Sequence, residues 1–185
     1  MEITNINKLL IDLAKGSIYD VLYKTKTIDK NKFLNQSMDF NKQAATFVTL
    51  TLDHNLRGCI GSLIAHRSLF DDITSNAISA AFKDPRFPPL TKEEFEKIEL
   101  EISLLSEPVE VIYSDFDDLR TKLIPKKHGV ILKSGFHQAT FLPQVWEQLP
   151  SFDLFFDHLY TKAGLQRGEQ AENPQIFTYT VKLIK

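Results

Sequence analysis

The chain has 185 residues, 43% of them hydrophobic and 25% charged, with 22 lysines and arginines against 24 acidic residues and a formal net charge of −2. That balance is globular, excludes a disordered chain, and disfavours nucleic-acid binding, which needs many phosphate neutralisations. One cysteine, Cys59, excludes an internal disulfide and a multi-cysteine zinc site, and fits a reducing, cytoplasmic compartment.

Met1 to Leu13 lack the charged-then-apolar order of a signal peptide, and no run of about 18 apolar residues would span a membrane. Residues 3–22 are predicted to be a helix, because Ile3, Ile6, Leu10, Leu13, Ile18 and Val21 recur at close to helical spacing. Residues 25–43 are polar and irregular, with a weak helical centre near Phe33 and Leu34. From Ala44 the period changes to two. Ala44, Thr46, Val48, Leu50 and Leu52 alternate with Phe47, Thr49 and Thr51, which predicts a strand. Asp53-His54-Asn55 is a turn, and Leu56–Ile60 completes a hairpin.

Ser68-Leu69-Phe70-Asp71 is a capping-box pattern opening a helix with Ile73, Ala77, Ala80 and Ala81 on one face. Asp84-Pro85 stops it. Thr91 to Glu94 is a second capping box and starts a short helix. Ile98, Leu100, Ile102 and Leu104 then alternate with Glu99, Glu101 and Ser103, predicting a half-buried strand. Val109–Ile112 is expected to extend the sheet, and Ser114 or Asp115 to cap a helix running to about Ile124. Val130–Lys133 and Ala139–Leu142 form a hairpin around Gly135. Ser151 caps a helix with Phe152, Phe155, Phe156 and Leu159 inward, closed by Gly164. Residues 169–175 are a loop, and Ile176–Ile184 a final strand. This order predicts an α+β fold with a mainly antiparallel sheet flanked by helices.

Leu56-Arg57-Gly58-Cys59-Ile60-Gly61 is the segment richest in candidate chemistry. In an extended strand Arg57 and Cys59 share a face, about 6.5–7 Å apart, while Leu56 and Ile60 point into the core. A guanidinium at that range favours a thiolate over a thiol. Gly58 and Gly61 leave room for a ligand, and the Gly61–Ser62 amides can bind an anion in a nest. The competing reading makes Cys59 a small packed hydrophobe. A second candidate is Asp84 to Leu90, where Arg86 sits in a proline-framed loop, either facing a substrate or tied to Asp84 as a helix stop. Further along, Gln144 is a possible ligand contact, and His137 a general base or a solvated side chain. His54 and His66 bracket the cysteine, so a Cys–His site is conceivable in space. The histidines have no metal-ligand spacing, so no metal site is expected, and the motifs of the common nucleotide, zinc-protease and serine-hydrolase sites are missing.

These segments together resemble the AMMECR family, known in microbes as AmmeMemoRadiSam system protein A. The resemblance rests on Phe47–Leu50, Leu56–Gly61, Asn76-Ala77 with Ala80–Phe82, Asp84–Leu90, Glu101–Ser106, Gly129-Val130, Phe141–Val145 and Lys162–Leu165. It is strongest over residues 44–165, with 1–185 expected to form a single domain. The chain departs from the family before the first strand, at Ala45-Thr46, and after Leu165, where Gln166-Arg167-Gly168-Glu169 brings no tryptophan. The resemblance implies two unequal lobes around a cleft, with Leu56–Gly61 near it, and a pathway shared with Memo-like and radical SAM proteins. The cofactor stays open. Two functions are carried forward. One is a site where Cys59 supports a thiol-dependent step, or Arg57, Gly58, Gly61, Asp84, Arg86 and Gln144 bind a small anionic ligand. The other is a noncatalytic adaptor or protein-interaction domain.

Overall fold

The computed structural model describes residues 6–165 and 174–185. The chain divides into two compact units, Met1–Leu105 with Lys182–Lys185, and Ser106–Val181. In both, antiparallel strand pairs are covered by helices, so the expected α+β class holds.

In the first unit, α1 (Ile6–Tyr23) buries Leu10, Leu13, Ala14 and Ile18. Val21 is 44% exposed rather than buried, and its neighbour Leu22 packs on the core in its place. Ile3 lies outside the described residues. Asp29 caps α2 (Lys30–Gln36), which fills the weak helical centre expected around Phe33. The strand β1 (Gln43–Leu52) pairs with β2 (Asn55–Gly61) through a two-residue turn. Both turn residues, Asp53 and His54, have positive φ, 50° and 62°, which matches a type I′ hairpin.

On its other side β1 pairs with β4 (Glu99–Leu105), and β9 (Val181–Ile184) follows, giving the order β2-β1-β4-β9. The short β3 (Arg67–Ser68) pairs with the start of β1. Val48, Leu50, Leu100 and Ile102 form the buried face, in one core with Ile73, Ala77, Ala80 and Ala81 of α3 (Leu69–Phe82). The Ser68 hydroxyl caps α3 by accepting from the Asp71 N–H. Both halves of the expected box are made at α4 (Lys92–Phe95), between Thr91 and Glu94. Leu104, expected on the buried face, is only half-buried, whereas Ser103 and Leu105 are buried. The alternation fails there because this end of β4 is covered on both faces.

In the second unit the order is β5 (Val109–Val111), β8 (Gln175–Tyr179), β6 (Gly129–Ser134), β7 (His137–Phe141). Val109–Val111 therefore does not extend the first sheet. It pairs with β8 as an edge of the second. Asp115 caps α5 (Phe116–Lys122), and α6 (Val145–Gln148) is a single turn. Ser151 caps α7 (Phe152–Lys162), which turns Phe155 and Phe156 fully inward. Trp146 stacks on Phe155 with centroids 3.7 Å apart. The expected final strand Ile176–Ile184 is divided at Thr180, so its halves belong to different sheets. Residues 169–173 of the expected loop lie outside the described residues, and Gln175 already belongs to β8.

Candidate functional site at the β2 edge

The site begins with an irregularity. Leu50 opposes Gly58 while Thr51 opposes Leu56, so Arg57 is the extra residue of a β-bulge. The bulge shifts the faces. Leu56 lands beside Thr51 and is 43% exposed, not in the core as strict alternation requires. Ile60, opposite Val48, packs on the core as expected. Gly58 faces α3, where an added Cβ would lie 2.2 Å from the Ala80 carbonyl oxygen. An added Cβ at Gly61 would lie 2.2 Å from the Phe47 ring. The room left by these glycines is thus filled by the protein itself rather than kept for a ligand. The amide nest is spent too, because the Ser62 N–H donates to the Thr46 carbonyl at 2.8 Å.

The bulge directs Arg57 to the α3–α4 loop. Its Nε and Nη2 donate to the two carboxylate oxygens of Glu94 at 2.8 and 2.9 Å, and Nη2 also donates to the Pro88 carbonyl at 3.0 Å. Arg57 is only 7% exposed. Its hydrogen bond is the main reason Glu94 is held below the ordinary glutamate range. Glu94 also accepts from the Thr91 N–H, so one carboxylate both caps α4 and neutralises Arg57. The arginine expected to activate the thiol therefore carries its own counterion.

Cys59 lies on β2, an edge strand, and its outward backbone groups have side-chain partners. The Cys59 N–H donates to Asp84 Oδ2 at 2.9 Å, and Arg86 Nη2 donates to the Cys59 carbonyl at 3.2 Å. Asp84 and Arg86 thus do for β2 what a neighbouring strand would. They also bond each other, through Nε to Oδ1 at 2.9 Å and Nη2 to Oδ2 at 2.7 Å. Asp84 is buried, and hydrogen bonding from Arg86 holds its carboxyl well below the usual range. Arg86 is in turn held charged by its hydrogen bonds to Asp84. Its side chain stays 53% exposed.

The thiol is half-buried, so it is not a fully packed hydrophobe. Its neighbour on the sheet face is Thr49, whose Oγ1 donates to Sγ at 3.3 Å.

Cys59, Asp84 and Arg86 come together, and Arg57 adjoins them through the loop. Gln144 does not belong to this group. It is an exposed N-cap of α6 in the second unit and makes no side-chain capping bond. His137, exposed on β7, has Nδ1 at 2.9 Å from the Ala163 carbonyl. His54 sits in the β1–β2 turn and His66 contacts the Ile64 carbonyl, so neither forms a pair with Cys59.

Two partners escaped sequence reasoning. Thr49 reads as an ordinary strand residue, and Glu94 reads as a helix cap alone. A buried polar cluster was also hidden. Asp72, with no exposure, accepts from the Thr46 N–H and hydroxyl, the Ser62 hydroxyl and Arg67 Nε, beside Asn76. Its signal was a pair of polar residues four apart on the inner face of α3.

The AMMECR1 family model matches residues 11–184. A protein of Methanosarcina barkeri is 37% identical over 180 residues, covering 95% of this chain and 87% of its own. One from Aquifex aeolicus is 32% identical over 163 residues, covering 85% and 80%. The crystal structure of an uncharacterized protein from Pyrococcus horikoshii aligns with a TM-score of 0.80 at 27% identity, over 95% of this chain and 88% of that one.

Proposed function

The chain belongs to the AMMECR1 family, and from that premise we propose that its working site is the Cys59 thiol, used on a small anionic ligand that Arg86 holds. The family match runs through both compact units, which supports reading residues 1–185 as one domain. The observation that carries the proposal is the half-buried Cys59 sulfur, with the Thr49 hydroxyl at 3.3 Å and the half-exposed Arg86 on the same residue's carbonyl. In this reading Cys59 is the nucleophile, Thr49 orients its sulfur, and Arg86 supplies the positive charge. Asp84 fixes Arg86, while Arg57, Gly58 and Gly61 hold the strand. The setting is a cytoplasmic pathway with Memo-like and radical SAM proteins. No helix among the described residues is long and apolar enough to cross a membrane.

A pair of alkylating reagents tests the assignment. Iodoacetate and iodoacetamide deliver the same carbon, one with a negative charge. An arginine beside the thiol raises the iodoacetate-to-iodoacetamide rate ratio of the folded protein above that of the unfolded chain, and Arg86→Gln returns it to the unfolded value. An unchanged ratio in the folded protein contradicts the role given to Arg86.

A second reading, a noncatalytic adaptor or protein-interaction domain, draws on a different observation. Both arginines are bidentate to internal carboxylates, and both glycines are explained by close packing. In that reading the segment is conformational, and Cys59→Ser leaves partner binding intact.

A further inference from the structure

We propose that His128 is an acid-released clasp in the second unit, holding the loop between α5 and β6 closed while its ring is neutral and freeing it when the ring takes a proton. The clasp is independent of the thiol reading above and needs no ligand.

The loop after α5 folds back on Ile124, and His128 grips that residue by both of its backbone groups. The Lys127 and His128 N–H groups donate to the Ile124 carbonyl at 3.2 and 3.0 Å, closing one helix-like turn. The His128 ring then returns to the same residue, and its Nδ1 accepts from the Ile124 N–H at 3.2 Å. Only an unprotonated Nδ1 can accept, so this bond fixes the neutral ring with its proton on Nε2. Closure also holds Lys126 at a φ of 64°, the left-handed region that costs an ordinary side chain energy. The other end of His128 is anchored in the core. Its carbonyl accepts from Trp146 Nε1 at 2.9 Å, and Trp146 is buried and stacked on Phe155. His128 thus holds the helix end through its ring and the core through its backbone, so a proton on the ring releases the first and not the second.

Protonation turns Nδ1 from an acceptor into a donor and sets it against the Ile124 N–H, so the ring must leave. The surroundings resist that proton. Burial, and after it the Lys127 charge, hold the half-buried His128 below its ordinary value of 6.5. Lys126 is the other cation of the loop. On the neighbouring elements, Arg120 and Lys122 of α5 are paired with Asp153 and Asp118, α5 also carries Asp117, and Glu147 follows Trp146 on α6. The folded loop therefore favours the neutral ring. Its closure is fully present above 6.5 and is lost as pH falls through the lower folded value.

Nuclear magnetic resonance of the full chain between about pH 7.5 and about pH 5 tests this, with the His128 ring, the Ile124 amide and the Trp146 indole N–H each followed by its own signal. The Ile124 amide should shift with the midpoint of the His128 ring, below 6.5. Its exchange with solvent, relative to the intrinsic rate at each pH, should become about tenfold faster on the acid side. The indole N–H should stay protected throughout, because its partner is a backbone carbonyl. His128→Asn places an amide oxygen where Nδ1 accepts, with no proton to gain, and should keep Ile124 protected at every pH. His128→Leu removes the acceptor and should leave Ile124 unprotected at every pH. Three results overturn the clasp: Ile124 exchange unchanged while the wild-type ring titrates, a ring midpoint at or above 6.5, or a pH response that persists in His128→Asn. Loss of the indole protection together with that of Ile124 also overturns it, since the second unit is then unfolding as a whole.

Discussion

Gly58→Ala adds one methyl group at the closest approach between β2 and α3. The new Cβ would lie 2.2 Å from the Ala80 carbonyl oxygen and 3.1 Å from its carbon, both backbone atoms of a helix. Ordinary contact begins at 3.4 Å, so strand and helix must separate by about 1 Å. The helix cannot yield cheaply, because Ile73, Ala77, Ala80 and Ala81 are all at most 1% exposed. Overpacking of this kind costs about 1–3 kcal/mol, and a clash with backbone belongs at the upper end. Gly61→Ala is the internal control. Its Cβ would meet the half-buried Phe47 ring, which can rotate, so its cost should be smaller. Urea unfolding followed by circular dichroism measures both. A Gly58→Ala loss below about 0.5 kcal/mol, or one smaller than that of Gly61→Ala, refutes the close-approach argument.

Ile102 is fully buried on β4, so Ile102→Ala should cost about 2–5 kcal/mol in the same assay; a loss under about 1 kcal/mol contradicts its place in the core. Asp84→Asn removes charge from the carboxylate that accepts from Cys59 and Arg86, and should cost about 1.5–3 kcal/mol at neutral pH. The Asp84 carboxyl is depressed in the folded state, so its contribution is present above the ordinary aspartate range near 4 and is lost as pH falls through the folded value. The stability gap between wild type and Asp84→Asn therefore narrows below about pH 4, and a gap that stays constant in acid argues against the ion pair as its source.

The parts of the fold legible in the sequence are the ones fixed locally. Ser68, Thr91 and Ser151 cap helices because a hydroxyl and a nearby amide suffice. Ile98, Leu100 and Ile102 declare their face by alternation alone. The bulge at Arg57 was not legible, because an extra residue shows only once β1 is paired beside it. Its consequences were hidden with it: the exposed Leu56, and an arginine answered by a glutamate 37 residues away. The break at Thr180 was masked for another reason, since β8 and β9 need the same period of two in whichever sheet they join. Within the candidate site, Asp84 and Arg86 stood out through their proline-framed loop. Thr49 did not, because a threonine on a strand is unremarkable until a sulfur is found beside its hydroxyl.

A Cys59 sulfur presented for chemistry is open to labelling under native conditions. Folded protein is treated with iodoacetamide at neutral pH and the added mass is followed in time, with urea-unfolded protein as the reference. The folded thiol should be labelled at a rate at least comparable to the unfolded one, and Thr49→Val, which removes the hydroxyl donor, should slow it. A thiol that stays unlabelled until the protein unfolds makes Cys59 a structural residue of the β2 edge and refutes its role as a nucleophile.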